Sequence, residues 1–155
     1  MGTRWLNNEE QAAWRAFLGA SQRVRESLDR QLQRDAGMPH AYYLILAMLS
    51  EADRRTLTMT ELARRTRSSP SRLSHAVAKL EDKGWVSRGR HSGDHRTTLA
   101  TLTDTGFTEL EATAPGHVEQ ARLSLFDHLT PEQVGQLHEI CRAVLAGSDD
   151  GPLPS

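Results

Sequence analysis

Apolar residues recur at steps of three and four along the first part of the chain, which predicts a long amphipathic helix from Glu9 to about Arg34. The stripe consists of Trp14, Phe17, Leu18, Ser21, Val24, Leu28 and Leu32. Such a helix would have about 25 residues and be roughly 40 Å long. Since that is long for a small domain, we expect the helix to pack against something beyond its own core.

The pattern becomes almost continuously apolar between His40 and about Asp53, after a break at Gly37 and a helix start at Pro39. A helix that is apolar almost all round is buried in the middle of a domain. The chain then continues as a polar connection, residues 52–57, into the next helix.

Two short helices with a tight turn between them follow. Thr58 and Glu61 form a capping-box pattern that starts the first helix, which is expected to end near Thr66. Ser69 caps the second helix, and Pro70 occupies its first position, where the missing N–H costs nothing. This arrangement indicates a helix-turn-helix, whose second helix enters the major groove of DNA.

The second of these helices has one apolar and one polar face, and Gly84 is suited to the left-handed turn that ends it. Its apolar face consists of Leu73, Ala76, Val77 and Leu80. Its polar face consists of Ser71, Arg72, His75 and Lys79.

A β-hairpin is predicted next, because two strand-like runs, Trp85–Ser87 and Thr97–Leu102, flank a glycine-containing basic loop. A hairpin directly after a recognition helix is a wing. Its tip offers Arg90, His91, His95 and Arg96 to phosphates or to the minor groove.

A third long helix is predicted from Thr103 to about His128, with a kink at Pro115. Two separate helices are the alternative, but the apolar stripe continues across the proline. Thr130–Gln133 forms another capping box and starts a final amphipathic helix. The polar tail, residues 147–155, is predicted to be disordered.

Composition narrows the class of protein. The 155 residues, 37% hydrophobic and 25% charged, fit one globular domain whose core is slightly lean for a monomer. The single cysteine excludes an intramolecular disulfide framework and favours a reducing compartment. No apolar run reaches the roughly 18 residues of a membrane span, and the N-terminus lacks a signal core. We therefore expect a cytoplasmic protein with no membrane partner.

Charge is unevenly distributed along the chain. The segment from Arg54 to Arg96 contains eleven basic and four acidic residues, so its formal charge is +7, although the whole chain carries −1. A basic module thus sits within an acidic frame. Because local charge steers a protein to nucleic acid, this pattern supports DNA binding.

These elements together predict a mainly α protein with a small β-hairpin wing. Residues 37–102 form the winged helix-turn-helix, and residues 1–36 and 103–146 form long terminal helices for dimerisation. Three apolar stripes on the terminal helices need a partner surface, which a two-fold homodimer would supply. It would hold two recognition helices about one DNA turn apart, roughly 34–36 Å.

The chain resembles the MarR (multiple-antibiotic-resistance regulator) family of bacterial transcription factors over residues 5–146. The most specific segments are TMTELARRTRSSPSRLSHAVAKLEDKGWVSR and GDHRTTLATLTDTG, and the latter contains the Asp-x-Arg element Asp94-His95-Arg96. The resemblance implies a triangular homodimer joined through its terminal helices. It also implies that the second helix of the helix-turn-helix lies in the major groove, and that Arg96 or a neighbour reaches the minor groove.

Residue chemistry suggests roles within this interface. Arg72 and His75 are expected to read bases, since arginine to guanine is the commonest specific contact. Lys79 and Arg90 are expected to contact the phosphate backbone. Asp94 is expected to orient the wing arginine, because a carboxylate facing a phosphate would be repelled. The whole predicted set is Ser68, Ser69, Pro70, Ser71, Arg72, His75, Lys79, Arg90, His91, Asp94 and Arg96.

The resemblance further implies a repressor of a pseudo-palindromic operator that a small aromatic effector releases. The candidates for lining an effector cleft are Trp14, Phe17, Tyr42 and Tyr43. Core packing explains their positions equally well, and we favour it.

Three other classes of function compete with this interpretation. A redox-sensing regulator could use Cys141, but a buried thiol without a cationic neighbour is usually inert. A winged-helix module that binds protein would usually lose the basic face that this chain keeps. An enzyme is disfavoured, since the sequence has no phosphate loop, nucleophile elbow or metalloprotease motif. The seven histidines show no zinc-ligand spacing, and no cofactor is expected.

Overall fold

The computed structural model describes residues 2–147, which are mainly helical with one small sheet. The α-helices are α1 (Asn8–Ala36), α2 (His40–Glu51), α3 (Met59–Thr66), α4 (Pro70–Asp82), α5 (Asp104–Ser124) and α6 (Pro131–Ala146). The strands are β1 (Thr56–Thr58), β2 (Val86–Arg90) and β3 (Thr98–Leu102), and 3-10 turns occupy Asp53–Arg55 and Phe126–His128. The predicted fold class, a winged helix-turn-helix between long terminal helices, is confirmed.

The sheet is antiparallel with strand order β1-β3-β2, so the predicted hairpin pairs on its other edge with a third strand. Thr56 pairs with Thr101, and their hydroxyl oxygens lie 2.9 Å apart. The prediction of a mere polar connection over residues 52–57 is therefore wrong. Three residues are too few to show an alternating pattern, and the strand depends on its pairing with β3.

The core forms around α2, as predicted from its continuous apolar run. Tyr43, Ile45, Leu46 and Leu49 of this helix are buried. They pack in one cluster with apolar residues from α3, α4, β2, β3 and the adjoining parts of α1 and α5. The core around the winged helix-turn-helix therefore forms within a single chain and includes residues of the terminal helices α1 and α5.

The N-terminal helix starts with a cap that the sequence interpretation missed. The Asn7 side chain accepts a hydrogen bond from the Glu10 N–H at 2.8 Å, and the Glu10 carboxylate accepts one from the Asn7 N–H at 2.9 Å. The helix therefore starts at Asn8, one residue before the predicted start at Glu9. The helix ends at Gly37, which takes the left-handed conformation with φ 61°.

Helix α5 continues through Pro115 as one helix, as the unbroken stripe predicts, and ends at Ser124 rather than near His128. At Gly116, a Cβ atom would lie 3.2 Å from polar side-chain atoms of Gln31 and Asp35 on α1. The absence of a side chain there lets α5 approach α1 closely.

The terminal helices leave most of their apolar stripes uncovered. No residue of α6 is buried, although its predicted capping box, Thr130 with Gln133, is present. The exposed fractions are 61% for Ile140 and 69% for Val144. Within residues 2–147, the apolar stripe of α6 therefore has no surface that buries it. The predicted disordered tail lies outside the described residues, except for Gly147.

In the part of the chain that the structure describes, no helix is both long and apolar enough to cross a membrane.

Two hydrogen bonds from Thr103 join α5 to the winged domain. The Thr103 N–H donates to the Trp85 carbonyl at 3.0 Å, and the Thr103 hydroxyl donates to the Gly84 carbonyl at 2.7 Å. These bonds fix the start of α5 against the end of the recognition helix.

Candidate nucleic-acid interface

The first helix of the helix-turn-helix begins at Thr58, whose hydroxyl accepts a hydrogen bond from the Glu61 N–H at 3.1 Å. Only this half of the predicted capping box forms. The Glu61 carboxylate turns instead to the arginines of the next helical turn, with bonds of 2.6 Å from Arg64 and 2.8 Å from Arg65. These bonds lower the pKa of Glu61 to about 2. The carboxylate therefore stays charged and holds both guanidinium groups along α3.

The turn between α3 and α4 is built as the sequence predicts. Helix α3 ends at Thr66, and Arg67 takes the left-handed conformation with φ 53°. The Ser69 hydroxyl accepts a hydrogen bond from the Arg72 N–H at 3.3 Å, and Pro70 occupies the first turn of α4. The helix ends at Asp82, and Gly84 follows with φ 76°.

Helix α4 divides into the two predicted faces. Leu73, Ala76, Val77 and Leu80 are buried in the core of the winged domain. The residues predicted to contact DNA from this helix are all exposed: Ser71, Arg72, His75 and Lys79. Because the apolar stripe fixes the rotation of the helix, these side chains must share the outward face.

The wing tip is held in shape by its own side chains. The Asp94 carboxylate accepts hydrogen bonds from the Arg96 N–H at 3.0 Å and from the Thr97 hydroxyl at 3.1 Å. The His91 Nδ1 accepts bonds from the N–H groups of Gly93 and Asp94, at 2.9 and 3.2 Å. The tip therefore presents its basic residues from an ordered loop. His91, predicted as a DNA contact, is engaged within the loop through one ring nitrogen.

Two arginines tie the wing together and to α4. Arg90 donates to the His95 carbonyl across the base of the tip. Arg88 on β2 donates to the Glu81 carboxylate of α4 at 2.6 Å. The second contact fixes the wing relative to α4, which sets the distance between the two elements predicted to contact DNA.

A cleft of about 530 Å³ lies between α3, α4 and the wing. Its lining includes Met59, Pro70, Leu73, Arg88, Arg96 and Thr98. Two predicted DNA contacts, Pro70 and Arg96, thus line the same concave surface.

The predicted effector residues are not brought together within one chain. Trp14 and Phe17 are 51% and 58% exposed on α1, so the favoured core packing is wrong for them in a single chain. Tyr43 is buried, with its ring centroid 4.0 Å from that of His117. Helix α2 meets α1 where the His40 N–H donates to Asp29. At 1.5 Å per residue, that point lies roughly 20 Å along α1 from Trp14.

A partly buried polar cluster at this junction was not predicted from the sequence. The rings of His40 and His117 are stacked with centroids 5.5 Å apart. Burial lowers the pKa of both histidines, and for His117 the nearby His40 adds to the effect. The His117 Nδ1 and the Gln31 Oε1 are buried without a hydrogen-bond partner. No sequence signal joins these residues, because their contact depends on how α1, α2 and α5 pack.

Other candidate chemistries find no assembled site. Cys141 is half-buried on α6. Among residues 2–147, no group of three or more histidine, cysteine or acidic side chains could hold a metal ion.

Comparison with known proteins decides the family. The MarR family model matches residues 36–97. Sco3205, a MarR family transcriptional regulator from Streptomyces coelicolor solved in complex with DNA, is 51% identical. The superposition covers 99% of this chain and 97% of that one, with a TM-score of 0.92. The chain belongs to the MarR family of transcriptional regulators.

Other relatives agree with this placement in the MarR family. AbsC, a MarR family regulator from Streptomyces coelicolor, is 34% identical over 92% of this chain and 96% of that one, with a TM-score of 0.87. The transcriptional repressor YetL of Bacillus subtilis is 33% identical over 81 residues, 52% of this chain and 48% of YetL. That match therefore spans about half of each protein.

Proposed function

We propose that this protein is a homodimeric transcriptional regulator that binds duplex DNA sequence-specifically through α4 and the wing. One observation carries the proposal. The basic side chains predicted to contact DNA from α4 and from the wing are exposed, and the fold superimposes on Sco3205, a relative solved with DNA. Net positive charge on this surface supplies the attraction to phosphate.

Each predicted contact keeps the role that its chemistry suggests. Arg72 and His75, exposed on α4, read base edges in the major groove. Lys79 and Arg90 contact phosphates, and Arg96 enters the minor groove. The serines at the start of α4, with Pro70, lie where the helix N-terminus favours a phosphate. Asp94 and His91 shape the tip that carries Arg96.

Dimerisation through residues 1–36 and 103–146 completes the proposal. Helix α6 has no buried residue, and an isolated amphipathic helix of this length is only marginally stable. A second copy would cover the stripes of α1, α5 and α6 and place two winged domains, residues 37–102, on one duplex. Two-fold symmetry then requires a pseudo-palindromic site, with half-sites about one turn apart.

Repression and release by an effector form the regulatory part of the proposal. YetL is a transcriptional repressor, which supports the same sign of regulation here. A small aromatic effector would act where the terminal helices meet the winged domain. Trp14 and Phe17 could contribute there only from another copy, beside Tyr42 and Tyr43 of the first. Because the proposed target is chromosomal DNA, we infer that the protein acts in the cytoplasm.

Charge reversal tests the DNA-binding surface against the protein-interaction alternative. The variants Arg72→Glu and Arg96→Glu should each lose at least about 100-fold in affinity for a specific duplex, because a carboxylate replaces a contact to base or phosphate. Arg34→Glu is the matched control, since Arg34 is exposed on α1 outside the interface. If all three variants bound DNA with the affinity of the wild type, the result would favour the alternative that the winged helix binds protein.

A further inference from the structure

Gly89 lies in the wing strand β2, where nothing in the described chain requires a glycine. Glycine inside a strand weakens it, and it usually marks a left-handed backbone, a bulge or a close approach of other atoms. Gly89 is not among the residues with a positive φ angle. Its pairing with Leu99 continues an unbroken register from Val86 to Arg90, so it forms no bulge.

The space beside Gly89 is open within the protein. Apart from its two chain neighbours, no described residue comes within 4 Å of a Cβ atom built at Gly89. Of the usual reasons for a glycine in a strand, only a close approach from outside the chain is left.

This open space faces away from the recognition helix. Successive side chains of a strand point to opposite faces. Val86 is buried in the core, and Arg88 donates to Glu81 of α4, so positions 86, 88 and 90 share the face toward α4. Position 89 therefore belongs to the outer face of the wing, where Gly89 is exposed.

The free edge of β2 adds backbone donors on both sides of this glycine. Strand β2 is the last in the order β1-β3-β2. The His91 N–H donates to the Thr97 carbonyl, and the Thr103 N–H donates to the Trp85 carbonyl, which sets the alternation of the ladder. The N–H groups at positions 88 and 90 therefore point away from β3. Around position 89, the main chain is accessible from the outer face and from the edge.

The thickness of the hairpin matters if the wing enters a groove. The minor groove of B-DNA is about 6 Å wide. Packed sheets lie about 10 Å apart because side chains stand on their faces, so a hairpin with side chains on both faces is too thick for this groove. Gly89 lies two residues, roughly 7 Å, from His91, where the wing tip begins. The strand is thus thinned on one face next to the tip.

We propose that the sugar–phosphate backbone on the outer side of the wing packs directly against the main chain of β2 at Gly89, which lets the tip reach into the minor groove. The inference rests on the proposed function, because this contact exists only if α4 and the wing hold a duplex. Gly89 acts as a positioning residue, since it sets how deeply Arg96 enters the groove.

The variants Gly89→Ala and Gly89→Val test this packing. The melting temperature of the free protein should stay the same or rise, because both residues suit a strand better than glycine and the new side chain enters open space. Affinity for a duplex carrying the operator selected by the wild-type protein should fall about three-fold for alanine and about ten-fold for valine, because the larger side chain holds the DNA backbone further away. Fluorescence anisotropy measures both affinities.

Ser87→Val is the matched control. Ser87 is exposed on the same face of β2, two residues further from the tip. This variant should gain similar stability and keep the affinity of the wild type.

A double variant separates lifting of the wing from a general loss of binding. In an Arg96→Ala background, Gly89→Val should cost little further affinity, because the wing contact that it disturbs is already lost.

Three results would overturn the inference while leaving the proposed function intact. One is wild-type affinity for Gly89→Val, with Arg96→Glu still defective. Another is a loss of affinity with a lower melting temperature for both variants, which would make Gly89 a structural residue. The third is full additivity of Gly89→Val and Arg96→Ala. Failure of the wild type to bind any duplex would instead refute the proposed function itself.

Discussion

The Asp94 carboxylate accepts a hydrogen bond from the backbone N–H of Arg96 at 3.0 Å, so the acid holds the wing arginine through its main chain. Among the ion pairs of the described residues 2–147, none joins the side chains of Asp94 and Arg96. The guanidinium thus remains available to a ligand, while the loop that carries it is fixed. Asp94 therefore has a structural role at the wing tip, although its charge is negative.

The first prediction concerns Asp94 itself. Asp94→Ala removes the acceptor for both the Arg96 N–H and the Thr97 hydroxyl, so the tip should loosen and DNA affinity should fall about five-fold. Asp94→Asn keeps one carbonyl acceptor and removes a negative charge, so its affinity should equal or exceed that of the wild type. Fluorescence anisotropy with a labelled duplex measures both variants. Equal losses for the two would mean that a single acceptor oxygen at position 94 is not enough to hold the tip.

A second prediction concerns the close approach at Gly106. A Cβ atom there would lie 2.1 Å from the Trp85 carbonyl oxygen, so the start of α5 would have to move. Gly106→Ala should lower the free energy of unfolding by about 3 kcal/mol. Gly19→Ala, with nothing within 4 Å of the new Cβ, should raise it by about 0.5–1 kcal/mol, because glycine is unfavourable inside a helix. Urea denaturation compares the two. Similar stabilities would show that α5 is not fixed at this join.

A third prediction follows from the half-buried histidines His40 and His117. Burial lowers the pKa of His40 and His117 below their ordinary value of 6.5, so the unfolded chain binds protons more readily than the folded one. The stabilising contribution of the neutral rings is complete above pH 6.5. It is lost as the pH falls from there through their folded-state pKa values.

Melting temperatures between pH 8 and pH 5 test this dependence. The wild type should lose stability on the acid side, and His117→Phe should lose less of it, since one buried titrating ring is gone. The loss linked to Glu61 lies at lower pH, between its ordinary pKa of 4.5 and about 2, and so remains separate. Parallel curves for the wild type and the variant would contradict the assignment.

A fourth prediction concerns the uncovered stripe of α6. Ile140→Glu combined with Val144→Glu should give a monomer that still folds, because neither side chain is buried in its own chain. Operator affinity should then fall about 100-fold, since two half-sites are no longer linked. Lys79→Ala should show the reverse, a dimer with weakened DNA binding. Sedimentation and anisotropy distinguish these results. A dimer for the double variant would place the interface elsewhere.

Local signals in the sequence were sufficient for much of this architecture. Ser69 with Pro70, and Thr130 with Gln133, predict helix starts because capping depends on residues only a few positions apart. The orientation of α4 also follows from its own periodicity. These signals carry the helix-turn-helix and the faces of its helices.

Features that depend on distant partners could not be predicted. Strand β1 forms through its pairing with β3, and Gly106 is required by the position of Trp85. The stacking of His40 on His117 joins α2 to α5. The left-handed backbone of Arg67 could not be predicted either, because glycine is the residue that usually signals such a helix end.

Binding of the wild-type protein to duplex DNA flanking its own coding region tests the central claim most directly. The protein should form a complex that resists unlabelled non-specific competitor and weakens steeply as salt is raised, with a footprint showing two half-sites about one helical turn apart. Absence of any complex with this or with randomised duplex, even at low salt, would contradict the assignment of α4 and the wing as a DNA-binding surface.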